Sequence, residues 1–121
     1  ENTYSLIRKK GKKVVVVEGL FDALSIEQYK NFKNYDILIL NSVNNLKKAI
    51  NEILKYDEVV LCLDNDEAGK KAKETLKEIL KKGQKNVYEV IFESKDINEA
   101  LCKNEKIKLK KILKNPRKRL F

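Results

Sequence analysis

Histidine is absent from the 121 residues, as are tryptophan and methionine. Without His, mixed Cys/His zinc sites, Ser-His-Asp triads and Cys-His dyads are all excluded. Any catalysis must rest on carboxylates, lysines or hydroxyls. Two cysteines are too few for a disulfide framework. Cys62 lies inside a strand pattern and Cys102 in a helical one, so both read as small core residues. With one Pro and four Gly, there is no Pro/Gly/Ser linker and no compositional boundary between domains. No apolar run reaches the roughly 18 residues of a membrane span, and none has the form of a signal peptide. A soluble cytoplasmic chain with no membrane partner is the expectation.

What is abundant is positive charge. Lys and Arg number 27 against 18 Asp and Glu, a net of +9. Lys103 to Phe121 holds nine basic residues and one acid, Glu105. A second cluster spans Arg8 to Lys13. Such clusters draw polyanions, nucleic acid above all, although a lysine-rich solvated face has the same composition. Only Phe121 is aromatic within the basic tail, so base stacking gets no support there.

Apolar residues, 42% of the chain, suffice for one small core. Four short runs read as buried strands: Val14 to Val17, Ile37 to Leu40, Val59 to Leu63 and Val87 to Phe92. Helical stripes separate them. Leu46, Ala49, Ile50, Ile53 and Leu54 form one, and Ala68, Ala72, Leu76, Ile79 and Leu80 another, with Gly83 as its C-terminal cap. Phe21 to Phe32 reads as a weaker helix with Phe21, Leu24 and Phe32 on one face. Leu109, Ile112 and Leu113 suggest a last helix, stopped before Pro116. The alternation predicts an α/β fold: a Rossmann-like, four-stranded, mainly parallel sheet with helices on both faces, plus a C-terminal helix. Residues 1–12 read as a lead-in, 13–102 as the catalytic domain and 103–121 as a basic helix and tail.

Acids stand at the strand ends, where such sheets bind ligands. The first strand leads into Glu18-Gly19, with Asp22 one helical turn on. The third leads into Asp64-Asn65-Asp66 and the fourth into Lys95-Asp96-Ile97-Asn98-Glu99. If the first and third strands are neighbours, Glu18 and Asp64 face each other across the switch point. Gly19 is expected to let the backbone turn tightly. Acids converging at one edge repel one another, and a divalent cation with hard oxygen ligands is the simplest compensation. Each acid also has a plainer reading. Asp22 and the Asp64-to-Glu67 stretch suit helix starts, and Asp96 with Glu99 suits a capping box. The Asn41-Ser42-Val43-Asn44-Asn45 loop suits either phosphate contact or turn chemistry.

The segments Val14 to Ala23, Leu63 to Gly69 and Lys95 to Leu101 resemble, in order and spacing, the TOPRIM domain of primases, topoisomerases and some nucleases. Glu18-Gly-Leu-Phe-Asp22 and Asp64-Asn-Asp66-Glu-Ala-Gly69 are similar to the DnaG-type primases. Ile97 and Asn98 depart from their Lys-Asp-Pro-Asp-Glu. That form looks like the primase-like proteins of phages, plasmids and conjugative elements. The resemblance implies a TOPRIM fold and Mg²⁺-dependent nucleotidyl transfer, with Mn²⁺ as an alternative and no zinc. Nucleoside triphosphates would be joined into primers on a single-stranded DNA template, with a replicative helicase as partner. Asp64, Asp66 and Asp96 would hold metal. Glu18 would complete the shell or act as general acid/base, and Asp22 would be a further ligand or orient its neighbours. Lys95, Lys70, Lys71, Arg117, Lys118 and Arg119 would contact phosphate or nucleic acid. It further implies a piece of a larger protein. A TOPRIM nuclease, or a non-catalytic nucleic-acid-binding module, is the alternative.

Overall fold

The structure is a computed structural model that describes residues 3–9 and 11–114. Its elements alternate as expected through the middle of the chain. Strands β1 (Ser5–Ile7) and β2 (Lys13–Val17) precede helix α1 (Leu20–Glu27), and β3 (Asp36–Ile39) precedes α2 (Leu46–Ile53). Then come β4 (Glu58–Leu61), α3 (Glu67–Lys82), β5 (Asn86–Ile91), α4 (Ile97–Cys102) and β6 (Lys108–Leu113).

The six strands form one sheet in the order β1-β3-β2-β4-β5-β6. The inner four are parallel, and β1 and β6 are antiparallel edges. The chain runs from β2 outward to β3, then returns across β2 to β4 and β5. Right-handed crossovers therefore send α1 to one face and α2 and α3 to the other. The valine run shows why. Val14 and Val16 pack toward α2 and α3, and Val15 and Val17 toward the opposite layer, so each is fully buried. Burying each stabilises the fold by about 2 kcal/mol. On the first face Ala49, Ile53, Ala72, Leu76 and Leu80 close the core. On the second, Ala23, Ile26, Phe32, Ile97 and Ala100 do so, with α1 against α4.

Three expectations are corrected. The segment around Leu109, Ile112 and Leu113 is not a helix but the edge strand β6, antiparallel to β5. A register irregularity at Val87/Tyr88 brings Ile112 and Leu113 both against the α2/α3 core, so their spacing imitates a helical stripe. The lead-in contributes β1, and the sheet has six strands rather than four. β1, with three residues, is too short to stand out in a sequence pattern. Helix α1 is short, and it buries Asp22, Ala23 and Ile26, while Phe21 and Leu24 face solvent. Gly83 does cap α3, but with right-handed φ of −79°; the left-handed residue is Gln84.

Cys62 is buried as expected, whereas Cys102 is exposed. Among the described residues, no helix is long and apolar enough to cross a membrane.

Candidate active site

β2 and β4 are neighbours, so the segments that follow them meet across the switch point. The backbone N–H of Asp64 donates to Oε2 of Glu18 at 2.8 Å. That bond joins the ends of the two strands through the candidate residues themselves. Asp22 sits below, only 6% exposed. Its Oδ2 accepts the N–H of Gly19 at 3.3 Å and its Oδ1 the N–H of Asn98 at 3.2 Å. Both carboxylate oxygens are thus occupied in holding α1 against the start of α4. Gly19 itself has φ −130° and ψ 167°, extended values open to any residue. The expected tight glycine turn is therefore not what that position does.

The other two acids are helix caps, Asp66 exposed and Asp96 partly buried. Asp66 is the N-cap of α3, its Oδ1 accepting the N–H of Gly69 at 2.7 Å. Asp96 is the N-cap of α4, its Oδ1 accepting the N–H of Glu99 at 2.8 Å. Glu99 returns a bond to the N–H of Lys95 rather than to that of Asp96, so the expected capping box is displaced by one residue. Each cap fixes its side chain through one carboxylate oxygen.

Asp64 is different. Its Oδ1 is buried and has no hydrogen-bond partner among the described residues. Burial, then Glu18, Asp22, Asp96 and Asp66, push its carboxyl up to about 7. Glu18 is raised as well, by burial first, against the opposing bond from the Asp64 N–H; Asp66, Asp22 and Asp96 add to the rise. Asp22 is raised by burial and then by Asp96. Asp64 thus feels like charge from the other four acids, and Glu18 from three of them.

An unsatisfied buried carboxylate oxygen within such a cluster suits a hard divalent cation. Among the described residues, no three Asp, Glu or Cys side chains already form a cage for a metal ion. Mg²⁺ does not require one, since it usually takes one or two carboxylates and completes its shell with waters and phosphate.

Two residues that bring the site together were not singled out from the sequence. Asn65 donates its side-chain amide to the carbonyls of Phe92 and Ser94 at 2.8 and 2.7 Å, and its backbone N–H to Lys95 O at 2.7 Å. The Asp96 loop is thereby clamped to the Asp64–Asp66 loop. Gly69 lets the first turn of α3 lie against the Asp64 backbone and the Glu18 carboxylate. A Cβ there would lie 2.1 Å from Asp64 O and 2.8 Å from Glu18 Oε2. The only sequence signal for either was membership of the Asp64-to-Gly69 motif. Asn98 also takes a structural role, accepting the Ser25 hydroxyl at 2.6 Å.

Lys95, Lys70 and Lys71 are all exposed, Lys95 directly beside Asp96 and the other two near the start of α3. Arg117, Lys118 and Arg119 lie outside the described residues. The Asn/Ser loop makes a local turn and is anchored to the segment of Thr3 and Ser5. Asn41, in the left-handed region at φ 67°, donates to Thr3 O and the Ser5 hydroxyl. Asn45 donates to Leu40 O and Thr3 O, and Ser42 accepts from Asn44 N–H.

A family model described as Toprim-like matches residues 15–101. A DNA helicase/primase of Enterobacteria phage T3 is 31% identical over 94 residues, covering 74% of this chain and 16% of that protein. A DNA primase of Campylobacter jejuni is 35% identical over 106 residues, covering 86% and 17%. The chain thus spans about a sixth of the length of these curated relatives. Among solved structures, the primase fragment of the bacteriophage T7 primase-helicase superposes with a TM-score of 0.64 at 29% identity, over 79% of this chain and 41% of that one. The zinc-binding and RNA polymerase domains of the Aquifex aeolicus primase give 0.58 at 25% identity, over 78% and 23%.

Proposed function

Because the chain belongs to the Toprim-like family, we propose that it is the catalytic TOPRIM module of a DNA primase, residues 13–102 with their flanking strands. It would act in the cytoplasm of a cell carrying a phage or another mobile element. Its substrates are nucleoside triphosphates and a primer hydroxyl on single-stranded DNA. The T3 relative, whose name joins helicase to primase, supports a replicative helicase as partner.

The observation that carries the reading is the buried Oδ1 of Asp64, which has no hydrogen-bond partner among the described residues and lies under the like charge of Glu18, Asp22, Asp66 and Asp96. Asp64, Asp66 and Asp96, with Glu18, would hold Mg²⁺ or Mn²⁺. Such a cation, when bound, offsets the clustered negative charge and polarises phosphate oxygens. The protein's own contribution is positional. The caps on Asp66 and Asp96 fix those side chains before a ligand arrives, so little ordering is left to do on binding.

Glu18 keeps its Oε2 on the Asp64 N–H. Its Oε1 would take the proton of the attacking hydroxyl, and its raised pKa suits a base that must later release that proton. Asp22, with both oxygens engaged, orients the cluster rather than binding metal. Lys95 would meet the triphosphate beside Asp96, and Lys70 and Lys71 the nucleic-acid backbone. Arg117, Lys118 and Arg119 remain proposed contacts of the same kind.

A Mn²⁺ titration of the chain, with and without a nucleoside triphosphate, tests the site. Saturable binding should weaken at least tenfold in Asp64→Asn and vanish in Asp64→Ala/Asp66→Ala. No binding by the folded protein under either condition would refute the metal reading. Metal-dependent cleavage of single-stranded DNA without primer extension, once the remaining domains are supplied, would move the assignment to the nuclease class.

A further inference from the structure

The expected basic helix is instead an edge strand, and this changes where its charge lies. Among the described residues, β6 has β5 on one side and no strand on the other. Lys103, Lys106, Lys108, Lys110, Lys111 and Lys114 are all exposed. The one acid among them, Glu105, turns its carboxylate to the N–H groups of Glu93 and Ser94 and to the Ser94 hydroxyl. Those bonds hold its carboxyl below the usual range. They also bolt the start of the basic segment to the loop that carries Lys95 and Asp96.

Direction follows from register. Lys108 pairs with Ile91, the last residue of β5, and so stands at the same edge of the sheet as the acids. Lys110 opposite Glu89 and Lys111 opposite Tyr88 lead back along the edge. At about 3.3 Å per residue, Lys111 is about 10 Å from Lys108 and Lys114 about 20 Å. Lys103 is partly neutralised by Glu99 at 3.4 Å, and Lys111 lies 5.4 Å above the Tyr88 ring. Lys108 and Lys110 have neither kind of partner among the described residues.

We propose that the β6 edge is the binding track for the phosphate backbone of single-stranded nucleic acid, running from Lys108 beside the acid cluster past Lys110 and Lys111 toward Lys114. A flexible polyanion matches lysines that project from both faces of one edge strand, where Glu105 is held by the Glu93 and Ser94 N–H groups and Glu89, opposite Lys110, is paired with Lys73. The inference deepens the primase reading, because it gives the strand at the acid site a direction of exit. Lysines on an edge strand can also serve merely to block pairing with another sheet, and the test separates the two roles.

Binding of a fluorescent oligothymidylate is measured by anisotropy between 50 and 200 mM salt for the full chain and for Lys108→Gln/Lys110→Gln/Lys111→Gln. The control is Lys12→Gln/Lys81→Gln/Lys82→Gln, which removes the same charge at the opposite end of the sheet. The β6 variant should lose about tenfold or more in affinity, and its salt slope should fall by about 2, at roughly 0.7 per phosphate contact. The control should stay within about threefold. Lys108→Gln/Lys110→Gln leaves Lys111 on Tyr88 and should lose about two thirds of the slope change, which guards against a folding defect in the triple variant.

Equal loss in the control, no loss in the β6 variants, or no binding by the wild type at 50 mM salt would each overturn the track. So would self-association of the β6 variants with unchanged affinity, the signature of edge protection. Mn²⁺ binding should persist in the β6 variants, and its loss there would move the effect to the acid site and overturn the track. If the wild type binds the oligonucleotide through β6 but never binds Mn²⁺, the track stands and the primase reading falls.

Discussion

The Asp64 N–H donates to Glu18 Oε2 at 2.8 Å, so the central parallel pair of strands is closed at its open end by two acids of the site. The contact brings together two groups that repel when both are ionised. In Glu18→Gln the side-chain oxygen still accepts the N–H while one charge leaves the cluster. The metal-free protein should therefore become more stable at pH 8, by a few degrees in Tm. The gain is under about 1 kcal/mol, since the position is half-exposed and screened. Mn²⁺ affinity and primer extension should fall in the same variant. A lower Tm would mean that the contact, rather than the repulsion, dominates this pair.

Gly69 is fixed by space, not by backbone conformation. A Cβ there meets Asp64 O at 2.1 Å, and that atom belongs to the backbone. The start of α3 must then lift from the Asp64 backbone. Gly69→Ala should cost about 3 kcal/mol, at the upper end of overpacking penalties, read as a lower urea midpoint with unchanged slope. Because Asp66 caps the same helix turn, Mn²⁺ affinity should fall with it. Wild-type stability in this variant would show that α3 does not press on Asp64 in solution.

Asn65 joins the loops that carry the acids. Its amide bonds to Phe92 O and Ser94 O hold the Asp96 loop against the loop of Asp64 and Asp66. Asn65→Leu removes both donors at similar volume. It should cost about 2 kcal/mol in stability, at about 1 kcal/mol per hydrogen bond. It should also weaken Mn²⁺ binding about tenfold, as loss of an outer support commonly does. A stability loss with Mn²⁺ affinity intact would make Asn65 a fold residue only.

The central sheet could be read in the sequence because its strands are buried on both faces. Val14 to Val17 shows that as a continuous β-branched run, and the acids directly after such runs had to lie at the open edge. The meeting of Glu18 with Asp64 needed only the β2–β4 pairing. Other features depend on tertiary approach and leave no periodic trace. β1 has three residues, and β6 hides its alternation behind a register irregularity. The roles of Asn65 and Gly69 exist only once β5 and α3 have docked on β4. Phe21 and Leu24 misled in the opposite sense: the helix start that places Asp22 inward turns them outward.

Asp64 makes the cluster testable by pH. Unfolded, an Asp ionises near pH 4; in the fold its carboxyl is pushed up to about 7. Between those values the folded state holds more protons than the unfolded chain. The stability this group contributes is thus fully present below about pH 4 and lost as the pH rises toward 7. Glu18 and Asp22, also raised, act in the same direction. Glu99 and Glu105 are lowered, and their contribution disappears only as the pH falls below the ordinary carboxylate range. A comparison of pH 5.5 with pH 8 therefore isolates the site. The metal-free protein should melt at a lower temperature at pH 8 than at pH 5.5. Mn²⁺ should raise Tm clearly at pH 8 and little at pH 5.5, where it competes with the proton on Asp64. Asp64→Asn should flatten both dependences, because the amide neither ionises nor binds metal well. A wild-type Tm with no pH dependence over this range, or a metal effect of equal size at both ends, would show that the acids are not coupled as the structure places them.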